Sequence, residues 1–233
     1  MVRAILILGL LAALGAFAAE PALAQARPPS STPADLADGR ADRTIDGIAA
    51  RIEDDIITSS EVRELAAFQE LVDGRAKSRG EIIRELTDQW IVRQEATATN
   101  YRQPADEEVN RAYDALAKQF GSPAAFQERA ATLNLSDAVI RRLLREQLYL
   151  ARFLDYRFRP AAQVDRQQIE DYYEKEFAPQ LKARGEPVPP VDDVEDTIRE
   201  VLIQRAINDR ATKWLEDTRE RLKVEIVPEG EGP

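Results

Sequence analysis

The sequence predicts a mainly α-helical fold with one small antiparallel β-sheet. Apolar residues recur at three- and four-residue spacing through most of the chain between residues 59 and 222, which is the period of amphipathic helices. Strand-like sequence occurs only near residues 45–58 and in the alternating segment Lys223 to Val227. Because the backbone groups of a lone terminal strand need partners, we expect the two strand regions to meet in one sheet.

The first elements are a hairpin and a helix. Two β-branched runs, Ile48 to Ile52 and Ile56 to Thr58, are separated by three acidic residues and predict the hairpin. Thr58 lies three residues before Glu61, which is the spacing of a capping box. This pair predicts the start of a helix that ends near Gly74.

Two further helices follow the same logic. Ser78 and Glu81 form a second capping-box pair, and the helix that they begin is expected to reach about Thr99. The acidic run Asp106 to Glu108 suits the first turn of a third helix, because carboxylates are favoured at the positive end of the helix dipole. Gly121 is expected to end that helix.

Serine caps predict the middle of the domain. Ser122, followed by a proline, begins a short fourth helix, which Asn134 closes in the left-handed conformation. Ser136 caps a long fifth helix with a wide apolar stripe that runs towards Phe158.

The last third of the chain contains two predicted helices and a break. One helix spans Val164 to Phe177, and the segment Ala178 to Pro190, with four prolines and a glycine, is expected to break regular structure. A final long helix begins near Val191 or Asp192 and ends near Leu222, directly before the terminal strand.

The N-terminal residues predict export. Arg3 precedes the uncharged apolar run Ala4 to Ala19, and small-residue cleavage sites follow at Ala24 and Ala26. The alternative is an uncleaved anchor, but the run is shorter than the roughly 20 residues that span a membrane. We therefore expect a signal peptide at residues 1–24, a flexible linker at 25–43, one domain at 44–227 and a disordered tail at 228–233, with no stable membrane insertion after cleavage.

Composition excludes many functions. The chain has no histidine and no cysteine, which removes Cys/His zinc sites and nucleophilic catalysis of the Ser-His-Asp or Cys-His type. With 32 Lys and Arg against 42 Asp and Glu, the net charge of −10 argues against nucleic acid as a main partner. No glycine-rich phosphate loop or metal-ligand constellation is found. We expect no enzyme activity, no cofactor and no metal.

Several stretches occur in a specific order: ITSSEV at 57–62, IIRELTDQWIVRQE at 82–95, DEEV at 106–109, residues 126–136, RRLLREQLY at 141–149 and the final helix and strand at 192–226. In this order they resemble the chaperone core of the SurA family of periplasmic chaperones. The resemblance implies that the last helix and strand return to complete the N-terminal core, as the strand-pairing argument also expects.

One departure from that family affects the expected function. Many members insert parvulin prolyl isomerase domains, of roughly 90 to 100 residues each, before the returning helix. Only Ala178 to Pro190 lies at that place here, and the histidines typical of a parvulin active site are absent. The resemblance thus implies a periplasmic, ATP-independent chaperone that binds unfolded outer-membrane or secreted proteins. The alternatives are an envelope scaffold or adaptor that holds one folded partner and, as a minor reading, a prolyl isomerase.

Aromatic residues supply the candidate client-binding surface. Seven of the fifteen aromatics lie between Tyr149 and Phe177, and such side chains offer large contact area to varied sequences. The competing interpretation is that these residues pack helix junctions, and core burial is the expected place for the first three candidates. The candidates are Leu65, Phe68, Trp90, Tyr149, Phe153, Tyr156, Phe158, Tyr172 and Tyr173.

Overall fold

The fold comes from a computed structural model, which describes residues 46–228. The predicted signal peptide at 1–24 and the predicted linker at 25–43 lie outside the described residues. So do residues 229–233 of the predicted tail.

Helices make up most of residues 46–228, and three short strands accompany them. A 3-10 turn at Arg159–Ala161 follows the fifth helix, and a π-helical turn at Tyr173–Phe177 joins the sixth helix to the seventh. The strands are β1 (Ile48–Ile52), β2 (Asp55–Thr58) and β3 (Val224–Ile226), and the helices are α1 (Ser59–Asp73), α2 (Arg79–Ala98), α3 (Asp106–Lys118), α4 (Pro123–Thr132), α5 (Asp137–Phe158), α6 (Arg166–Tyr172), α7 (Ala178–Ala183) and α8 (Val191–Arg219).

The three strands form one antiparallel sheet in the order β2-β1-β3. Arg51 of β1 lies opposite Ile56 of β2 and opposite Glu225 of β3. The expectation that the hairpin and the terminal strand share one sheet is confirmed, and so is the mainly α-helical class with a small antiparallel sheet.

The predicted helix caps are present. Thr58 accepts a hydrogen bond from the amide of Glu61, Ser78 from that of Glu81, and Ser122 from that of Ala125. Ser136 caps α5 in the same way. These side chains satisfy backbone donors that the first helical turn leaves unpaired, which is why the starting points could be predicted.

The helix bundle is built around α5, which contributes to two apolar clusters. One cluster joins α1, α3, α4 and α5 and includes Phe126, whose ring lies edge-on to Tyr113 at 5.4 Å. The other joins α2, α5 and α8 and includes Tyr149 and Phe153. A third cluster covers the inner face of the sheet, where Ile52 packs with residues of α1 and α2. Within residues 46–228, no residue of α6 or α7 belongs to these clusters. These two helices and the π-helical turn between them, residues 166–183, form an arm that packs beside α8.

The prediction that Ala178 to Pro190 breaks regular structure is wrong for its first half. The arm continues as helix α7 through Ala183. Pro179 is its second residue, after a π-helical turn in which the amide of Ala178 donates to the carbonyl of Tyr173. The wider turn removes the clash that a proline ring makes in a regular helix with the carbonyl four residues earlier.

Across residues 46–228, no helix combines the length and the apolar character that crossing a membrane requires.

Candidate functional site

A groove lies between the arm and the N-terminal half of α8. Its volume is about 260 Å³. Small-molecule sites in proteins usually measure about 300–1,000 Å³, so this groove suits one or two inserted side chains better than a whole cofactor. It is lined by Tyr172, Phe177, Gln180, Leu181, Arg184, Thr197, Ile198 and Val201.

Five of the eight lining residues are apolar or aromatic, and they lie on both the arm and α8. On α8, Ile198 is buried, and Val201, three residues later on the same side, keeps 37% of its surface exposed. On the arm, Phe177 and Leu181 are four residues apart and both half-buried. A side chain placed between the arm and α8 would lose water on both sides, which is the main favourable term for apolar binding.

The arm is fastened to α8 by a charged fork. Both carboxylate oxygens of Glu176 accept hydrogen bonds from Arg205, at 2.8 and 2.7 Å. These bonds lower the pKa of Glu176 from its ordinary value. The guanidinium of Arg205 also lies over the ring of Tyr172, 4.6 Å from its centroid. The fork therefore holds one wall of the groove through an aromatic contact and an ion pair.

The loop after α7 is attached to the π-helical turn. The hydroxyl of Tyr173 donates to the carbonyl of Pro189 over 2.8 Å, and its ring stacks on Phe177 at 6.0 Å. Tyr173 does not line the groove, but it supports the groove because it positions both Phe177 and the loop.

One cationic residue, Arg184, lines the groove, and its guanidinium lies 3.8 Å from a carboxylate oxygen of Glu186. Elsewhere, Arg166 of α6 lies 2.8 Å from a carboxylate oxygen of Glu170 and 3.1 Å from one of Asp192, so it links the arm to the start of α8. The cation that lines the groove therefore has an acidic neighbour.

The structure places only part of the predicted aromatic set at this groove. Tyr172 lines it and Tyr173 supports it. Leu65, Phe68, Tyr149 and Phe153 are each at most 2% exposed and belong to the apolar clusters, so they do not face solvent in this conformation.

The remaining three candidates lie at other contacts. The indole nitrogen of Trp90 donates to Asp55 over 2.7 Å. Phe158 packs on Trp214, with ring centroids 5.8 Å apart. Tyr156 is 62% exposed and lies 5.3 Å from the ring of Tyr101. The structure therefore does not bring the nine candidates together on one surface.

Seven of the eight lining residues are not among the nine predicted candidates. Three of them, Gln180, Leu181 and Arg184, lie in the segment that was expected to be irregular, and three others, Thr197, Ile198 and Val201, lie in the predicted last helix. The seventh is Phe177, which ends the predicted helix before that segment. The four-residue spacing of Phe177 and Leu181 is the one sequence signal that pointed to a continued helix and an apolar face there.

Polar groups elsewhere connect the helices. Gln69 of α1 donates to Glu85 of α2, and Lys77 lies 3.1 Å from the same carboxylate. In the described part of the chain, no group of three or more Asp or Glu side chains could hold a metal ion.

No protein-family model matches the sequence, and no curated protein matches it at a significant level.

Proposed function

We propose that the chain is a periplasmic, ATP-independent chaperone that holds unfolded outer-membrane or secreted proteins, and that the groove between the arm and α8 binds their apolar side chains. The observation that carries the proposal is the groove itself. It is open, five of its eight lining residues are apolar or aromatic, and Val201 in it keeps 37% of its surface exposed to solvent.

The dimensions of the groove favour a polypeptide as its occupant. A volume of about 260 Å³ admits one or two side chains but little more. Gln180 and Thr197 line the same groove, and they can exchange hydrogen bonds with the backbone of an inserted segment. An extended client would then bury side chains without leaving its amides unsatisfied.

The surface charge supports the same role. A net charge of −10 opposes self-association of a protein that exposes apolar surface. The lining combines apolar side chains with the charged side chain of Arg184, which lies beside Glu186. This combination suits a protein that must stay soluble while it binds aggregation-prone clients.

The resemblance of the motif order to that of the SurA family also supports the proposal. At the place where many members of that family carry an isomerase domain, the described chain has a short connection, residues 184–190, between α7 and α8. The proposed activity is therefore binding without catalysis, and we expect no acceleration of proline-limited refolding.

The test is suppression of aggregation by the chain without residues 1–24. A near-stoichiometric amount should keep several unfolded clients soluble. Val201→Asp places a charge in the apolar groove and should lower client affinity by about tenfold, which corresponds to about 1.4 kcal/mol.

Tyr156→Asp is the matched control, because Tyr156 is also exposed but lies at another contact. Circular dichroism should show both variants folded. An equal loss in both variants would remove the groove as the binding site. Failure to protect any client, together with crosslinking to a single stoichiometric partner, would favour an adaptor instead.

A further inference from the structure

The terminal strand β3 has an open edge. Val227 donates to the carbonyl of Ala49, and Glu53 donates to that of Lys223. In an antiparallel ladder, these two bonds make Arg51 and Glu225 the hydrogen-bonded pair between β1 and β3. The amides and carbonyls of Val224 and Ile226 therefore point away from β1.

These outward groups have no hydrogen-bond partner within residues 46–228. An unpaired row of donors and acceptors at a sheet edge is a template for another strand. β3 is the outer strand on this side of the sheet, so that template faces away from the domain.

The side chains at this edge are also uncovered. Val224 and Ile226 lie opposite Ile52 and Ala50, on the face of the sheet that packs against α1 and α2. Ile52 and Ala50 are fully buried, whereas Val224 and Ile226 are 36% and 55% exposed. The apolar face thus continues past the helices that cover its centre.

We propose that β3 binds an extended polypeptide segment as a fourth strand, with apolar residues beside Val224 and Ile226 and a cationic residue beside Glu225. The added strand would supply the missing backbone partners, and its alternate side chains would extend the buried face. This inference rests on the proposed function only for the source of the segment, an unfolded client, and it assigns a second site apart from the groove.

Charge defines the partner. Glu225 is exposed and lies on the face opposite to Val224 and Ile226. Arg51 of β1 lies opposite Glu225 on one side, but the two side chains form no ion pair within the described residues, and the outer side of Glu225 faces the position of an added strand. Directly opposite cross-strand charges attract when unlike and repel when alike. A segment of the pattern apolar, basic, apolar therefore matches this edge better than the pattern apolar, acidic, apolar.

The same charge disfavours a second copy of the chain. A register that overlaps all three residues of β3 with those of another β3 would place Glu225 opposite Glu225. Like charges directly opposite each other destabilise a strand pair. A client segment with a basic residue has no such conflict.

The test uses two blocked peptides, Ac-Thr-Val-Lys-Val-Thr-NH2 and Ac-Thr-Val-Glu-Val-Thr-NH2, added to the chain without residues 1–24 and labelled with 15N. The lysine peptide should slow hydrogen exchange at the amides of Val224 and Ile226 and should bind about two- to fivefold more tightly than the glutamate peptide. Glu225→Lys should reverse that preference. The same lysine peptide with N-methylated valines should not bind, because it cannot donate to the edge.

A pair of variants tests the edge from the protein side. Ile226→Pro removes an outward donor that the β1–β3 ladder does not use, and it should abolish peptide protection. Ile226→Thr keeps the amide and should retain it. Val201→Asp should leave peptide protection intact even if it abolishes client binding in the groove, so the two proposals can fail separately.

Three results would overturn the inference. The first is an unchanged peptide preference in Glu225→Lys. The second is strong protection of the Val224 and Ile226 amides before any peptide is added, which would mean that another part of the chain covers the edge. The third is a stable dimer in sedimentation that Ile226→Pro dissociates, which would assign the edge to a second copy.

Discussion

Oδ1 of Asp88 lies 3.3 Å from Nε of Arg219, and this ion pair joins the middle of α2 to the end of α8. Both side chains are largely buried, with 22% and 16% of their surface exposed. Within residues 46–228, Oδ1 of Asp88 and Nη1 of Arg219 have no hydrogen-bond partner. Burial therefore dominates over the attraction of Arg219 and raises the pKa of Asp88 from 3.8 to about 6.

This raised pKa predicts an unusual pH dependence of stability. The folded chain holds the Asp88 proton more tightly than the unfolded chain, so the free energy of unfolding falls as pH rises from about 4 through about 6. Between pH 5 and pH 7 this group should lower stability on the order of 1 kcal/mol. Urea unfolding at the two pH values measures the change.

Asp88→Asn is the matched control, because asparagine cannot titrate. Its unfolding free energy should lack this component between pH 5 and pH 7, whatever its absolute value. The absence of histidine keeps the comparison clean, since no side chain of unperturbed pKa titrates there. If the unfolding free energies of the two proteins change in parallel across this range, the pKa of Asp88 is not raised in the folded chain.

Glu108 should have the opposite effect. Its carboxylate accepts bonds of 2.8 and 2.5 Å from Arg152, and these bonds, with one from the amide of Ala105, lower its pKa to about 2. The stability that the Glu108–Arg152 pair contributes is present above the unfolded pKa of 4.5 and is lost as pH falls through about 2. Glu108→Gln should therefore be less stable than the parent at pH 7, by an amount that disappears towards pH 2.

Asp106→Asn provides the comparison for that measurement. Asp106 pairs with Arg145 at 2.6 Å, but its side chain is 82% exposed. Exposed ion pairs contribute little because water screens them. Acid titration monitored by circular dichroism should separate the two variants, and an Asp106→Asn curve that matches Glu108→Gln would contradict the role given to the Glu108–Arg152 pair.

The parts of the fold that sequence could predict are those set by local chemistry. Thr58 with Glu61 and Ser78 with Glu81 satisfy the same backbone donors in any surroundings, so their spacing alone located the starts of α1 and α2. The sheet followed from the need of β3 for a backbone partner.

The exposure of the candidate aromatic residues could not be predicted, because burial depends on neighbours distant in sequence. Phe153 and Tyr156 lie three residues apart on α5, and periodicity alone gives both the same face. Coverage by other elements leaves the first 1% and the second 62% exposed. Pro179 predicts the end of a helix, because the π-helical turn that accommodates it has no recognisable sequence signature.

Phe153 and Tyr156 offer a direct test of that distinction. Phe153→Ala should cost about 3–5 kcal/mol, because it empties a buried aromatic site between α2, α5 and α8. Tyr156→Ala removes an exposed ring and should cost less than about 1 kcal/mol. Urea denaturation measures both, and similar losses would mean that Tyr156 is covered in solution.

We expect the left-handed backbone conformation of Asn134, and not its side chain, to matter for stability. It follows α4 with a φ of 55°, and its amide donates to the carbonyl of Ala131. Asparagine tolerates this left-handed conformation, whereas a Cβ without a compensating local hydrogen bond costs about 1–2 kcal/mol there. Asn134→Ala should therefore lose about 1 kcal/mol of unfolding free energy, while Asn134→Gly, which has no Cβ, should stay near the parent. Both variants remove the side-chain carboxamide of Asn134, so an equal loss of stability in the two would assign the effect to that side chain and not to the backbone conformation.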